Sequence, residues 1–176
     1  IGSAGGEYLQ GGMTPENVDA LTANLWEHQY GFITKVNVFF ENVEGSDINP
    51  EVLDPMLGEM HFLRAYMYFE LSRHFGGVPI IKNSFSLTQE SYAVEKNTYD
   101  EVAAFVLSEA ELAIGLLKNH GEVRTGVATK QAAMALKARM LLYMASPLNN
   151  PSNDLSKWQA AEVATKAVID AGFTLH

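Results

Sequence analysis

Five stretches of this chain repeat apolar residues at helical spacing, about 100° of rotation per residue. The most telling covers residues 58–79, GEMHFLRAYMYFELSRHFGGVP. On a helical projection Glu59, Glu70, Arg73 and His74 gather on one narrow side. Phe62, Leu63, Ala65, Tyr66, Met67, Tyr68, Phe69 and Leu71 cover most of the rest. A helix this apolar needs several packing neighbours. Arg64 breaks the pattern, because it falls near Tyr68 and Leu71, opposite the polar side. A guanidinium in that position must be paired, since burial of a lone charge is too costly. Phe75-Gly76-Gly77-Val78-Pro79 then stops the helix: glycine tolerates a left-handed cap and proline prevents continuation. Asn49-Pro50 and Asp54-Pro55 each offer a cap residue followed by proline, so both stand as possible starts.

The other helical patterns are shorter in information. Thr14-Pro15-Glu16 combines an N-cap hydroxyl, a proline and a first-turn acid. It opens a pattern that runs to about residue 44, with Trp26, Tyr30, Ile33 and Asn37 on one stripe. Asn37 is polar on that stripe and is expected to hydrogen-bond backbone on a neighbouring helix; Gly31 marks a close contact or a kink. Residues 80–97 are polar and irregular, with room for a short strand near 78–81. Thr98-Tyr99-Asp100-Glu101 is a capping box. It opens a helix to about residue 117 with Val102, Val106, Ala110, Ala113 and Leu117 on its stripe. Thr129 caps a helix that ends at Pro147. Its alanines (132, 133, 135, 138 and 145) let another helix approach, and Lys130 and Lys137 share its wet side. Arg139 lies opposite, beside Ala132, Ala135, Leu142 and Tyr143. With Arg64 it is expected to act as a buried cross-brace, binding carboxylates or helix-end carbonyls through its fork. Residues 148–155 form a loop. The last helix spans 156–171, with Trp158, Ala161, Ala164, Ala167 and Val168 inward, Gly172 as its cap and Phe173-Thr174-Leu175 packing behind it.

At 176 residues and 47% apolar, the chain can build one domain with a true core. Its charge of −9 is scattered and no basic patch is visible, which argues against nucleic acid. It has no cysteine, so disulfides, thiolate metal sites, cysteine nucleophiles and a lipid-bearing cysteine within these residues are excluded. No 18-residue apolar run reads as a transmembrane helix. Residues 1–6 lack the basic and apolar regions of a signal segment, which does not make the protein cytosolic, because mature chains lose such segments.

Candidate chemistry is sparse. Glu70 and His74 are one turn apart, yet no third ligand accompanies them, so they read as a salt bridge and not a metal site. Glu109 with Glu111, or Asp100 with Glu101, could suggest a glycosidase pair, but neighbours on one helix do not converge on a sugar, and a solvated face is the better reading. No nucleophile elbow or phosphate-binding loop occurs. The expectation is therefore no catalytic residue, no metal and no cofactor. Trp26 and Trp158 have rings suited to a pyranose, but their spacing places them in the core. Aromatics on irregular segments (Tyr8, Phe85 and Tyr92) are better sugar contacts, and Tyr8 is the nominee.

Four blocks in order resemble the SusD/RagB family. Trp26, Tyr30, Ile33 and Asn37 match its W-x3-Y-x2-I-x3-N pattern. Gly58, Glu59, Phe62, Leu63, Arg64, Ala65, Tyr68, Phe69, Phe75, Gly76, Val78 and Pro79 match its G-E-A-R-F-L-R-A and F-G-x-V-P signature, with Met60 and His61 in place of Ala-Arg. Gly126, Thr129, the alanines, Arg139, Leu142, Tyr143 and Pro147 match the third block, with Val127 in place of arginine. Trp158, Ala161, Ala164, Gly172, Phe173 and Leu175 match the fourth. The resemblance implies an all-α fold of stacked TPR-like helical hairpins with irregular loops. It implies a single helical domain over residues 1–176, an interior piece of a longer protein. It further implies a non-enzymatic, lipid-anchored subunit on the cell-surface side of the outer membrane, which binds oligosaccharide or another nutrient and passes it to a TonB-dependent transporter. The rival reading is a TPR-like adaptor for a protein partner, without sugar affinity. In both, Arg64, Arg139 and Asn37 belong to the frame and the recognition residues lie on loops.

Overall fold

A computed structural model describes residues 19–86, 88, 91 and 93–172 of the protein. Five α-helices occur among them: α1 (Asp19–Val43), α2 (Pro50–Phe75), α3 (Tyr99–Leu116), α4 (Lys130–Ala145) and α5 (Leu155–Asp170), and no strand. Each helix packs against the next in sequence, and α2 also reaches α4. The fold is all-α, a stack of helical hairpins. The core lies where the apolar pattern of α2 places it. Tyr68, Phe69 and Leu71 are fully buried against Val102, Val106 and Ala110 of α3, with Ile33 of α1 and Met140 of α4 closing the sides.

Local chemistry decides the boundaries. Of the two possible starts for α2, the first is used. The Asn49 side chain accepts a hydrogen bond from the Glu51 amide at 3.0 Å, Pro50 follows, and Pro55 lies inside the helix. At the other end Gly76 adopts φ +70° and its amide donates to the Ser72 carbonyl. The capping box of α3 forms in both directions, Thr98 N–H to Glu101 at 2.7 Å and Glu101 N–H to Thr98 at 3.3 Å. Thr129 caps α4 and Asp154 caps α5.

Residues 78–81 form no strand. They run as an extended strap across the core, and side chains satisfy the backbone groups that a ladder would have paired. Tyr30 Oη donates to the Pro79 carbonyl at 2.7 Å. The Ile80 amide donates to Asn97 Oδ1 at 2.9 Å. Tyr68 Oη accepts from the Ile81 amide at 2.7 Å and donates back to its carbonyl at 3.3 Å. Gly77 is required by space: a Cβ there would stand 2.1 Å from the Asn97 carbonyl oxygen. Gly31, by contrast, has nothing near its would-be Cβ, so the close contact expected there is absent.

Both end helices of the described stack, α1 and α5, are more open than the sequence pattern suggests. Both tryptophans expected in the core are exposed, Trp26 by 39% and Trp158 by 37%. Trp26 still packs edge-on against Phe75, ring centroids 5.1 Å apart. On α5 only Ala161 is buried, while Ala164 and Val168 are half-buried and Ala167 is exposed, because α4 is the one described helix that α5 contacts extensively. Gly172 has φ +92° after α5. The expected packing of Phe173-Thr174-Leu175, the Thr14 cap, and the sugar contacts named at Tyr8 and Tyr92 lie outside the described residues.

Candidate functional site: a buried guanidinium–carboxylate cluster

Arg64, on the second half of α2, points between α1 and α3 and is only 8% exposed. Its partner is Glu109 of α3, 4% exposed. The contact is a two-pronged fork: Nε to Oε2 at 2.8 Å and Nη2 to Oε1 at 2.9 Å. That geometry suits the planar guanidinium and is the strong form of an arginine–carboxylate pair. The third prong, Nη1, donates to Asn37 Oδ1 of α1 at 3.0 Å. His61, one turn before Arg64, places Nδ1 2.9 Å from Glu109 Oε2. The flat faces of the guanidinium are covered by aromatic rings, Phe40 at 4.4 Å and Phe105 at 5.6 Å from the centroid. All three guanidinium nitrogens and both carboxylate oxygens thus have partners away from water, as a buried pair requires.

Burial alone would raise the pKa of Glu109. The hydrogen bonds from His61 and Arg64, with the charge of Arg64, outweigh that and hold its carboxyl below the usual range. Burial pushes the neighbouring Tyr68 phenol up to about 12. A carboxylate held ionised in this way has no proton to give as a general acid, and at 4% exposure it turns no lone pair to a substrate as a base or nucleophile.

The cluster reaches the strap through Asn37. While its oxygen accepts from Arg64, its Nδ2 donates to the Ile81 carbonyl at 3.0 Å. The backbone partner of Asn37 is therefore the strap and not a neighbouring helix. Charge pairing between α2 and α3, amide coupling to α1, and the Tyr30 and Tyr68 hydroxyls together fix the point from which residues 82–97 depart.

Arg139 does not repeat this arrangement. It is exposed, and no salt bridge involves it among the described residues. Its guanidinium carbon lies 5.6 Å from the Phe69 ring centroid. The face of α4 that carries it also carries the exposed Ala135 and Leu142. The expectation of a buried brace is corrected to a cation resting on a core ring.

Other expected pairings also rearrange. Glu70 pairs with Arg73 at 2.5 Å, whereas His74 Nδ1 meets the Glu70 backbone carbonyl. Glu111 is exposed and pairs with Lys137, but Glu109, expected beside it on a solvated face, is the buried counter-ion. The signal was present in the spacing: Glu109 stands seven residues after Val102, three after Val106 and four before Ala113, on the core stripe itself. No group of three potential metal ligands occurs among the described residues, and no described helix is long and apolar enough to cross a membrane.

Two of the surface concavities lie beside residues already described. One, of about 330 Å³, opens where α1 ends and α2 begins, beside Lys82 and Asn83 at the start of the connection to α3. The other, of about 460 Å³, is a shallow groove between α4 and α5 floored by Leu142, Ala161 and Ile169 with Trp158 at its side.

The family model of SusD-like proteins, described as starch-binding and associating with the outer membrane, matches residues 9–142. Two SusD-like proteins of Formosa agariphila are each 26% identical to the chain. One alignment runs over 120 residues, 67% of this chain and 23% of the relative; the other runs over 167 residues, 93% and 29%. A SusD-like protein of Bacteroides fragilis has a similar structure, with TM-score 0.75 at 28% identity over 87% of this chain and 28% of its own. A SusD-like carbohydrate binding protein of the same organism gives TM-score 0.74 at 25% identity over the same shares. The chain spans less than a third of the length of any of these four.

Proposed function

The chain belongs to the SusD-like family, and from that premise we propose that it is the helical frame of a non-enzymatic glycan-binding subunit of an outer-membrane uptake system. The observation that carries the reading is the family match over residues 9–142. A structural neighbour at 25% identity that is named as a carbohydrate binding protein supports it. The internal chemistry agrees. The one buried acid–base cluster among the described residues is closed on itself, which suits a frame that holds loops in place and breaks no bond.

In this reading the protein captures oligosaccharide at the cell surface, held to the outer membrane by a lipid anchor, and passes it to a TonB-dependent transporter. Binding uses aromatic faces against pyranose carbons and polar side chains for hydroxyls. Tyr8 remains the proposed aromatic contact. Residues 1–176 act as one helical domain of a longer polypeptide, in which Arg64, Glu109 and Asn37 keep the frame rigid.

The test is calorimetry of the full-length protein against a panel of oligosaccharides, together with purification from membranes. Saccharide binding without release of reducing ends, and a co-purifying transporter, are the expected results. Ligand-independent association with a protein partner and no saccharide binding would instead support the adaptor reading.

A further inference from the structure

The mouth between the end of α1 and the start of α2 has walls that are fixed before any ligand arrives. The strap is pinned by Asn37 and Tyr68, as described above. Three residues further on, Glu41 of α1 grips Ser84 twice: Oε1 accepts from its amide and Oε2 from its hydroxyl, both at 2.6 Å. Lys82 and Asn83 are therefore held between two anchors. The facing wall is the α1–α2 connection, tied by the Glu44 amide to the Phe40 carbonyl and the Ser46 amide to the Val43 carbonyl. The recess enclosed is about 330 Å³, at the lower end of small-molecule sites.

Its lining is mixed in a particular way. Phe40, Leu53 and Leu57 give an apolar floor. The Phe40 ring cannot swing, because Arg64 lies over it at 4.4 Å and the His61 ring packs 4.7 Å from its centroid. The rim carries the Glu44 carboxylate, which only accepts, the Lys82 ammonium, which only donates, and the Asn83 amide, which does both. Glu41 also lines the recess, but both its oxygens are taken by Ser84, and the Lys82 ammonium lies 5.4 Å from the Phe105 ring centroid. Of the groups left for a ligand, one carboxylate and one ammonium oppose each other, so an ionic ligand of either sign gains little. A neutral ring with adjacent hydroxyls gains most, since each hydroxyl donates and accepts, and its C–H face suits the floor.

We infer that this recess is a saccharide subsite for one neutral pyranose unit, with Lys82, Asn83 and Glu44 as its hydrogen-bonding groups. The inference rests on the glycan-binding reading and gives it a place on the molecule.

The experiment is calorimetric titration of the full-length protein with maltohexaose, laminarihexaose and a xylogluco-oligosaccharide. The wild type is compared with a Lys82→Ala/Asn83→Ala double variant and with Glu44→Gln. For whichever saccharide binds, the double variant should weaken affinity about tenfold or more, and Glu44→Gln by less, with thermal midpoints unchanged. The same saccharide soaked into crystals should show density above Phe40; this readout decides the matter should the double variant lose its fold. Affinity within twofold of wild type in a folded double variant, or sugar density elsewhere only, overturns this subsite and leaves the glycan-binding reading standing. Absence of binding by the wild type to the whole panel removes both.

Discussion

Arg64 and Arg139 stand on helices that touch, and each lies against a phenylalanine of the core. Around Arg64 three helices converge. The guanidinium takes Asn37 from α1 and Glu109 from α3, and His61, one turn before it on α2, bonds the same carboxylate. Arg139 rests on the ring of Phe69, is exposed, and forms no salt bridge among the described residues. The difference shows what turns an arginine on an apolar face into a structural tie. The apolar neighbours set where it points, but a carboxylate brought by another helix decides whether it can be enclosed. A paired guanidinium also fixes whatever its partners hold, which here is the strap at Ile81.

The sharpest way to break the contrast is to remove the charge from the enclosed side. Arg64→Met leaves Glu109 buried with only His61, and Asn37 Oδ1 without its donor. Loss of one member of a buried pair costs about 3–5 kcal/mol. For a chain of this size that is a fall of about 10 °C in thermal midpoint, measurable by circular dichroism of the protein. Because the cost comes mainly from the stranded carboxylate, Glu109→Leu added to Arg64→Met should recover part of it. Failure of the double change to recover anything would locate the loss in the arginine's aromatic contacts.

A second perturbation strikes the strap while sparing every charge. In Gly77→Ala the new methyl carbon would meet the Asn97 carbonyl at 2.1 Å, a contact with backbone that cannot rotate away. Forced overpacking of this kind costs about 1–3 kcal/mol. The urea midpoint should fall, and amide exchange should accelerate first at Ile80 and Asn97, whose bonds the displaced strap breaks.

These two sites also show which parts of the molecule were readable in advance. The five helices and most of their caps follow from spacing and from local pairs such as Thr98 with Glu101. The burial of Arg64 follows from its apolar neighbours. Its partner does not follow from pairing Glu109 with Glu111; the signal is the stripe that Glu109 shares with Val102, Val106 and Ala113. Asn37 was recognised as a polar group on a core face. Its partner is the strap, because an extended segment without a ladder has carbonyls in need of donors. The exposure of Arg139, Trp26 and Trp158 was not readable for a different reason. Helical period shows which residues share a face but contains nothing about what covers that face. The proposed sugar contact at Tyr8 lies beyond the described residues, and the recess beside Phe40 is built from three separate segments, a juxtaposition no single stretch reveals.

Acid should distinguish the two arginines more gently. The carboxyl of Glu109 is held below its ordinary range in the folded protein, so the unfolded chain takes up its proton first as pH falls. The associated stability is complete above the unfolded value of a glutamate, about 4.5, and is lost as pH drops through the lower folded value. Glu41, Glu101 and Asp154 shift in the same direction through exposed hydrogen bonds, so the wild-type curve alone is not diagnostic. The difference between wild type and Glu109→Gln is. It should be widest near neutrality and shrink below about pH 4.5. Among the described residues no carboxylate pairs with Arg139 to produce such a slope, and Arg139→Met should show the wild-type pH profile unchanged.

The smallest expected effect is the most discriminating one. Arg139→Met removes a half-solvated cation and keeps a side chain of similar length over the Phe69 ring. An exposed cation–π contact contributes about 0.5–1 kcal/mol, and methionine packing on the same ring offsets much of it. The net change in unfolding free energy for residues 1–176 should therefore be within about 0.5 kcal/mol, against the several expected at Arg64. If the same substitution in the full-length protein costs as much as Arg64→Met, then further polypeptide supplies Arg139 with the carboxylate it lacks here. The contrast would then lie in which part of the protein delivers the counter-ion and not in the arginines themselves. If it costs little in both settings, a cation on a core ring is a tolerated surface feature, and enclosure by a carboxylate is what separates the two sites.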